Sequence, residues 1–179
     1  MELDADGFVP FPRPLVFATN RDHLIELARF LPNVRRIEVR SRDEDGDVVR
    51  LVNVWHGGGE IPAAARAVLS ESMLSWTDHA TWDPREWVCR WRTETHAFTE
   101  AVDCAGTTTF VEKDGGTLLR VRGELRIDAK RVRGVPGFLA TKLGRVAEET
   151  LAGKIRPNLV EIAKGLRKYL EGKAAQTSA

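Results

Sequence analysis

Only two of the 179 residues are cysteine, Cys89 and Cys104, too few for a disulfide framework and not spaced as metal ligands. They are expected to act as small apolar side chains, and their scarcity suits a reducing, cytoplasmic setting. No apolar run reaches the roughly 18 residues needed to cross a bilayer, and MELDADGFVPF at the N-terminus lacks the basic and apolar regions of a secretory signal. A soluble chain is expected. An excess of one charge is missing too: 27 basic against 26 acidic side chains leave +1, so no field argues for nucleic acid as a partner. The glycine run Gly57-Gly58-Gly59 lacks the Lys-Ser/Thr ending of a phosphate loop and reads as a mobile edge, a candidate gate. His23, His56, His79 and His96 have no second ligand-type residue at helical or strand spacing except Asp78 beside His79. Neighbours on a strand face opposite sides, so these two cannot easily share a metal or a proton. Neither a metal nor a cofactor is expected.

What is present is periodicity. The length fits one domain over residues 1–179 with an ordered core of about 8–171. Phe8 to Pro12 reads as a short edge strand. Thr19 or Asn20 can cap a helix carrying Leu24, Leu27, Ala28 and Leu31, ended by Pro32 and Asn33. Arg35–Arg42 and Val48–His56 form a hairpin around Asp43–Asp47, and Gly57–Ser72 leads into a short helix started by Pro62. Strands follow: Leu74–Trp82, Glu86 to about Ala101, Thr107–Glu112 and Thr117–Asp128, with turns at Asp83–Glu86, Asp103–Gly106 and Lys113–Gly116.

From Gly134 the period changes from two to 3.6, and Leu139, Leu143, Val146, Ile155, Leu159, Ile162, Leu166 and Leu170 form one stripe. At about 1.5 Å per residue this helix would reach ~50 Å, so a kink is expected between Gly153 and Pro157, whose ring meets a carbonyl and offers no N–H. The tail, 172–179, has nothing to bury and should fray. A sheet in this order must hide one face, and the last helix is the element large enough to cover it. The fold class expected is α+β, a helix-grip arrangement of about seven curved antiparallel strands around a long C-terminal helix.

Element order, together with VFATNRDHLIELARFLPNVRRIE, GTLLRVRGELRID and GVPGFLATKLGRVAEETL, resembles the helix-grip superfamily of START lipid-transfer domains, the birch-pollen allergen and bacterial polyketide cyclase-like proteins. The resemblance covers roughly Phe8 to Tyr169. It implies a cavity between sheet and long helix for a hydrophobic small molecule or lipid, in which some members catalyse a reaction and many only bind.

The stretch SWTDHATWDPREWVCRWRTETH, Ser75 to His96, holds four of the five tryptophans. Strand phase turns Trp87, Cys89, Trp91 and Thr93 inward and Arg90 and Arg92 outward, with Trp82 placed beside Trp87 and with Asp78 and Trp76 in phase. In the last strand Leu119, Val121, Gly123 and Leu125 face in, and an Asp114-Gly115 turn would set Phe110 opposite Leu119. The expected ligand wall is Trp82, Trp87, Trp91, Phe110, Leu119 and Val121, with Leu139 and Leu143 from the helix. Asp78 or His79, if inward, would be the candidate general acid or base of a cyclase or dehydratase. Cys89 reads as an inert core thiol. Arg120 to Gly134 is locally basic and could touch an anionic membrane surface. Three functions stay open: a carrier of a hydrophobic small molecule, an enzyme using the same pocket, or an interaction module whose own tryptophans fill the cavity. Oligomeric state is not readable.

Overall fold

Leu3, Ala5, Gly7 and Val9 alternate with Glu2, Asp4, Asp6 and Phe8, and this alternation makes strand β1 (Glu2–Val9), with Leu3 and Val9 fully buried. The computed structural model describes residues 1–31, 34–58, 75–132 and 137–177, with the side chains at 139, 143, 147, 150, 151, 153–159 and 177 outside the description. The first strand thus begins well before the expected Phe8, and Pro10 to Pro12 link it to a helix.

That helix, α1 (Arg13–Asp22), starts earlier than its expected cap. Pro12 stands at the N-cap and Pro14 in the first turn, where a fixed φ and a missing N–H cost nothing. Thr19 and Asn20 lie buried inside α1, beside Val16 and Phe17, instead of capping a later helix. The chain breaks at His23 and continues as α2 (Leu24–Leu27) and a 3-10 turn (Ala28–Phe30), which bury Leu24, Leu27 and Ala28 as their spacing predicts.

Six further strands follow: β2 (Val34–Asp45), β3 (Val48–Gly57), β4 (Ser75–Asp83), β5 (Val88–Thr95), β6 (Val102–Lys113) and β7 (Gly116–Ile127). Among the described residues the seven strands form one antiparallel sheet in the order β1-β7-β6-β5-β4-β3-β2. Asp114 and Gly115 both take positive φ, 47° and 75°, the two-residue hairpin geometry whose twist matches the flanking strands. This turn fixes Phe110 opposite Leu119, as expected, and Thr108 opposite Val121. Asp103–Gly106 is not a turn; it lies within β6, and the chain reverses over 96–101 instead. The short helix expected after Gly57 falls on residues 59–74 and lies outside the described residues. Of the expected gate, Gly57 is the paired end of β3 and Gly59 lies outside the described residues.

Helix α3 (Gly137–Thr177) is an unbroken helical run of 41 residues, passing through Pro157 where a kink is expected and through Gly172 where fraying is expected. Lys173 helps to hold the last turns, its ammonium 5.7 Å from the Tyr169 ring centroid. The helix lies across the concave face and buries Ala152, Ala163, Leu166, Tyr169 and Leu170. The main core joins Val9, Phe17, Trp82, Phe110, Leu119 and Leu166. β1 and α3 meet at one tight point: a Cβ built on Gly7 would lie 2.4 Å from the Ala163 Cβ. Gly7→Ala should therefore cost about 1–3 kcal/mol by overpacking. In a double-mutant cycle read by denaturant unfolding, Ala163→Gly should recover part of that loss, whereas additive effects would place strand and helix apart at this point.

Candidate functional site

Because antiparallel partners share a face, the pairings define rows running across the sheet. One row is Leu51, Ala80, Trp91, Gly106, Gly123 and Leu3. The next is Asn53, Asp78, Thr93, Cys104 and Leu125, and beyond it come Trp55, Trp76 and Thr95. On the other side lie Val49, Trp82, Cys89, Thr108, Val121 and Ala5. Residues of these rows line a cavity of about 330 Å³, together with Glu161 and Ile162 of α3 and with Asn20, Leu24, Leu31 and Val34.

The cavity stays open because of how Trp91 lies. A Cβ on Gly106 would sit 2.6 Å from Cζ2 of Trp91, and one on Gly123 would sit 2.9 Å from its Cη2. Two facing glycines therefore leave a slot in the sheet surface, and the indole lies over them. Trp55 and Trp76 stack at 5.8 Å between ring centroids, 15° from parallel, and line the wall near α2.

Of the expected wall, Trp82, Trp91, Leu119 and Val121 line the cavity, whereas Trp87 and Phe110 do not. The four residues Pro84–Trp87 form the β4–β5 loop, so Asp83 pairs with Val88 and Trp82 with Cys89 instead of Trp87. Trp87, at φ 55°, packs edge-on against Phe17 at 5.4 Å, with the Arg13 guanidinium 4.5 Å from its ring centroid. Phe110 belongs to the same solid end of the barrel, 5.0 Å from Phe17 and 5.9 Å from Trp82. The side chains of Leu139 and Leu143 lie outside the described residues.

Asp78 is inward and His79 outward. Burial in the apolar wall pushes the Asp78 carboxyl up to about 6, against the opposing pull of a hydrogen bond from Asn53 and the nearby His79 charge. His79 is half-exposed on the outer face, 3.6 Å from Glu94. His96 accepts or donates at both ring nitrogens, 2.8 Å from Ser75 Oγ and 2.8 Å from Thr77 Oγ1, and ties the end of β5 to β4. Burial pushes the Cys89 thiol well up and that of Cys104 to about 11, so neither is a nucleophile. Among the described residues no group of three His, Cys, Asp or Glu could hold a metal ion, and no helix is long and apolar enough to cross a membrane.

Sequence reasoning missed Asn53, Thr95 and Glu161 as wall residues. The signal for Asn53 was available, since it shares the phase of Val49, Leu51 and Trp55 and is 1% exposed. Among the described residues Asn53 Oδ1, Trp55 Nε1, Trp82 Nε1 and Thr95 Oγ1 are buried in or behind the wall with no hydrogen-bond partner. Each such group costs about 1–3 kcal/mol. Three cations of the basic run Arg120 to Gly134 are paired with acids: Arg122 reaches Asp6 at 2.7 Å, Arg126 reaches Glu124 at 2.8 Å and Arg131 reaches Asp128 at 3.3 Å.

The raised Asp78 carboxyl makes a stability statement. Ionising near 3.8 when unfolded and about 6 when folded, it binds more protons in the folded state between those values, so stability falls as pH rises through that window. Relative to the wild type, Asp78→Asn should be about 3 kcal/mol more stable at pH 8 and equal to it below pH ~4. Thermal melts of both proteins across pH would reveal a flat difference if Asp78 is solvated.

No protein-family model and no curated protein matches the sequence. Solved structures do match in shape. TTHA0849 from Thermus thermophilus superposes with a TM-score of 0.67 at 19% identity, over 97% of this chain and 99% of that one. The Zhui aromatase/cyclase from Streptomyces sp. R1128 gives 0.68 at 19% identity, over 97% and 95%. Norcoclaurine synthase from Thalictrum flavum gives 0.56 at 13% identity, over 95% and 86%. With its curved seven-stranded antiparallel sheet gripping the C-terminal helix, the chain has the START-like, birch-pollen-allergen-like helix-grip fold.

Proposed function

We propose that the protein binds or carries an apolar or amphipathic small molecule, lipid or polyketide-like, between the sheet and α3. The observation that carries this reading is the cavity itself: about 330 Å³ walled mainly by tryptophan, leucine and valine side chains, with a few polar groups at set positions. Ligand sites typically occupy ~300–1,000 Å³ and combine an apolar wall with a small number of orienting polar groups. An interaction module filled by its own tryptophans would have left no such space. The polar lining residues Asp78, Thr93, Thr108 and Glu161 favour an amphipathic occupant over a pure hydrocarbon.

Native mass spectrometry of protein purified from its source cells should show a co-purifying small molecule. Trp91→Ala should lose it, because the indole is wall; Arg90→Ala should keep it, because Arg90 is exposed on the outer face and paired with Glu86. The reverse pattern would place the ligand outside the barrel.

A further inference from the structure

The described charge in the cavity wall has one sign. Among the described residues that line it, Asp78 and Glu161 are the charged ones, and neither Lys nor Arg is present. Glu161, on α3, has its own cation, Lys164, at 2.6 Å. Asp78 is faced by neutral groups: Asn53 from β3, Thr93 from β5, Cys104 from β6, Leu125 from β7 and Asn20 from α1, with Glu161 as the acid across the cavity. Among the described residues, the basic side chain that acts on it electrostatically is His79, which projects from the opposite sheet face toward Glu94.

We infer that the occupant is a cationic amine: a ring-bearing, apolar molecule whose protonated nitrogen sits against the Asp78 carboxylate. The inference rests on the cavity being a ligand site, as proposed above. A carboxylate held in an apolar wall without a counter-ion is under-solvated, and an ammonium group restores what burial removed. Trp55, Trp76, Trp82 and Trp91 line the same space, and aromatic rings attract cations most strongly when water is excluded. An anionic head, as on a fatty acid, would meet two carboxylates and no described cation, which is rejection built into the wall.

The test uses three indoles of one frame, tryptamine, tryptophol and indoleacetate, titrated into the full chain by calorimetry. Tryptamine should bind at least about tenfold more tightly than tryptophol, with indoleacetate weakest. In Asp78→Asn, which keeps the shape and removes the charge, the amine-to-alcohol ratio should collapse to near one. Tryptamine affinity should also fall below pH ~6, as Asp78 takes up its proton, while that of tryptophol stays level. Equal or tighter binding of indoleacetate, or an amine preference that survives in Asp78→Asn, overturns the inference. Tryptophol binding without an amine preference sinks this inference alone and leaves the cavity as a ligand site. If none of the three binds, the inference also falls, and mass spectrometry of the native protein judges the cavity reading separately.

Discussion

The structure depends on an unslipped antiparallel register. Side chains alternate with a period of two, so one residue of slip in any strand would exchange the tryptophans and arginines of the barrel and destroy its interior. The register is held at the β6–β7 hairpin by Asp114 and Gly115, whose backbones accept positive φ, and it propagates strand by strand from Ala5 to Val49 without a shift among those pairs. Irregularity is confined to β2, at the far edge, where pairing shifts between Val34 and Arg36 and again between Val39 and Ser41.

Within that frame the interior divides into a solid end and a hollow end. Phe17 meets Trp82, Trp87 and Phe110 edge-to-face at one end and anchors α1 to the sheet. Toward α2 the side chains facing one another are smaller or lie flat, and space remains. Asp78 stands on the boundary of that space. Its carboxyl is costly where it is, and Asn53 offsets only part of the cost; a protein selected for stability alone would gain by replacing it.

How much of this the sequence reveals varies with the signal. β7 is readable because Leu119, Val121 and Leu125 alternate with Arg120, Arg122 and Arg126, and the sheet places them on opposite faces. β1 is obscured because Ala5 and Gly7 are small and the flanking acids resemble a solvated tail. Trp87 is misplaced because a loop residue carries no strand phase. Asp103–Gly106 has turn composition, yet Gly106 is in β6 to make room for an indole, a reason visible only once Trp91 has a position. The orientation of Asp78 follows from alternation alone, but its raised proton affinity needs the three-dimensional wall. Cavity volume has no sequence signature, because it is what the packed side chains leave over.

One edge of the sheet has a further consequence. β2 presents Arg36, Glu38, Arg40, Arg42 and Glu44 along a strand broken by two register shifts, and Glu38 is bridged by both Arg36 and Arg40. Bulges and dense charge make a poor template for another strand. The sheet can therefore end at β2 without closing on itself and at little risk of stacking into fibrils.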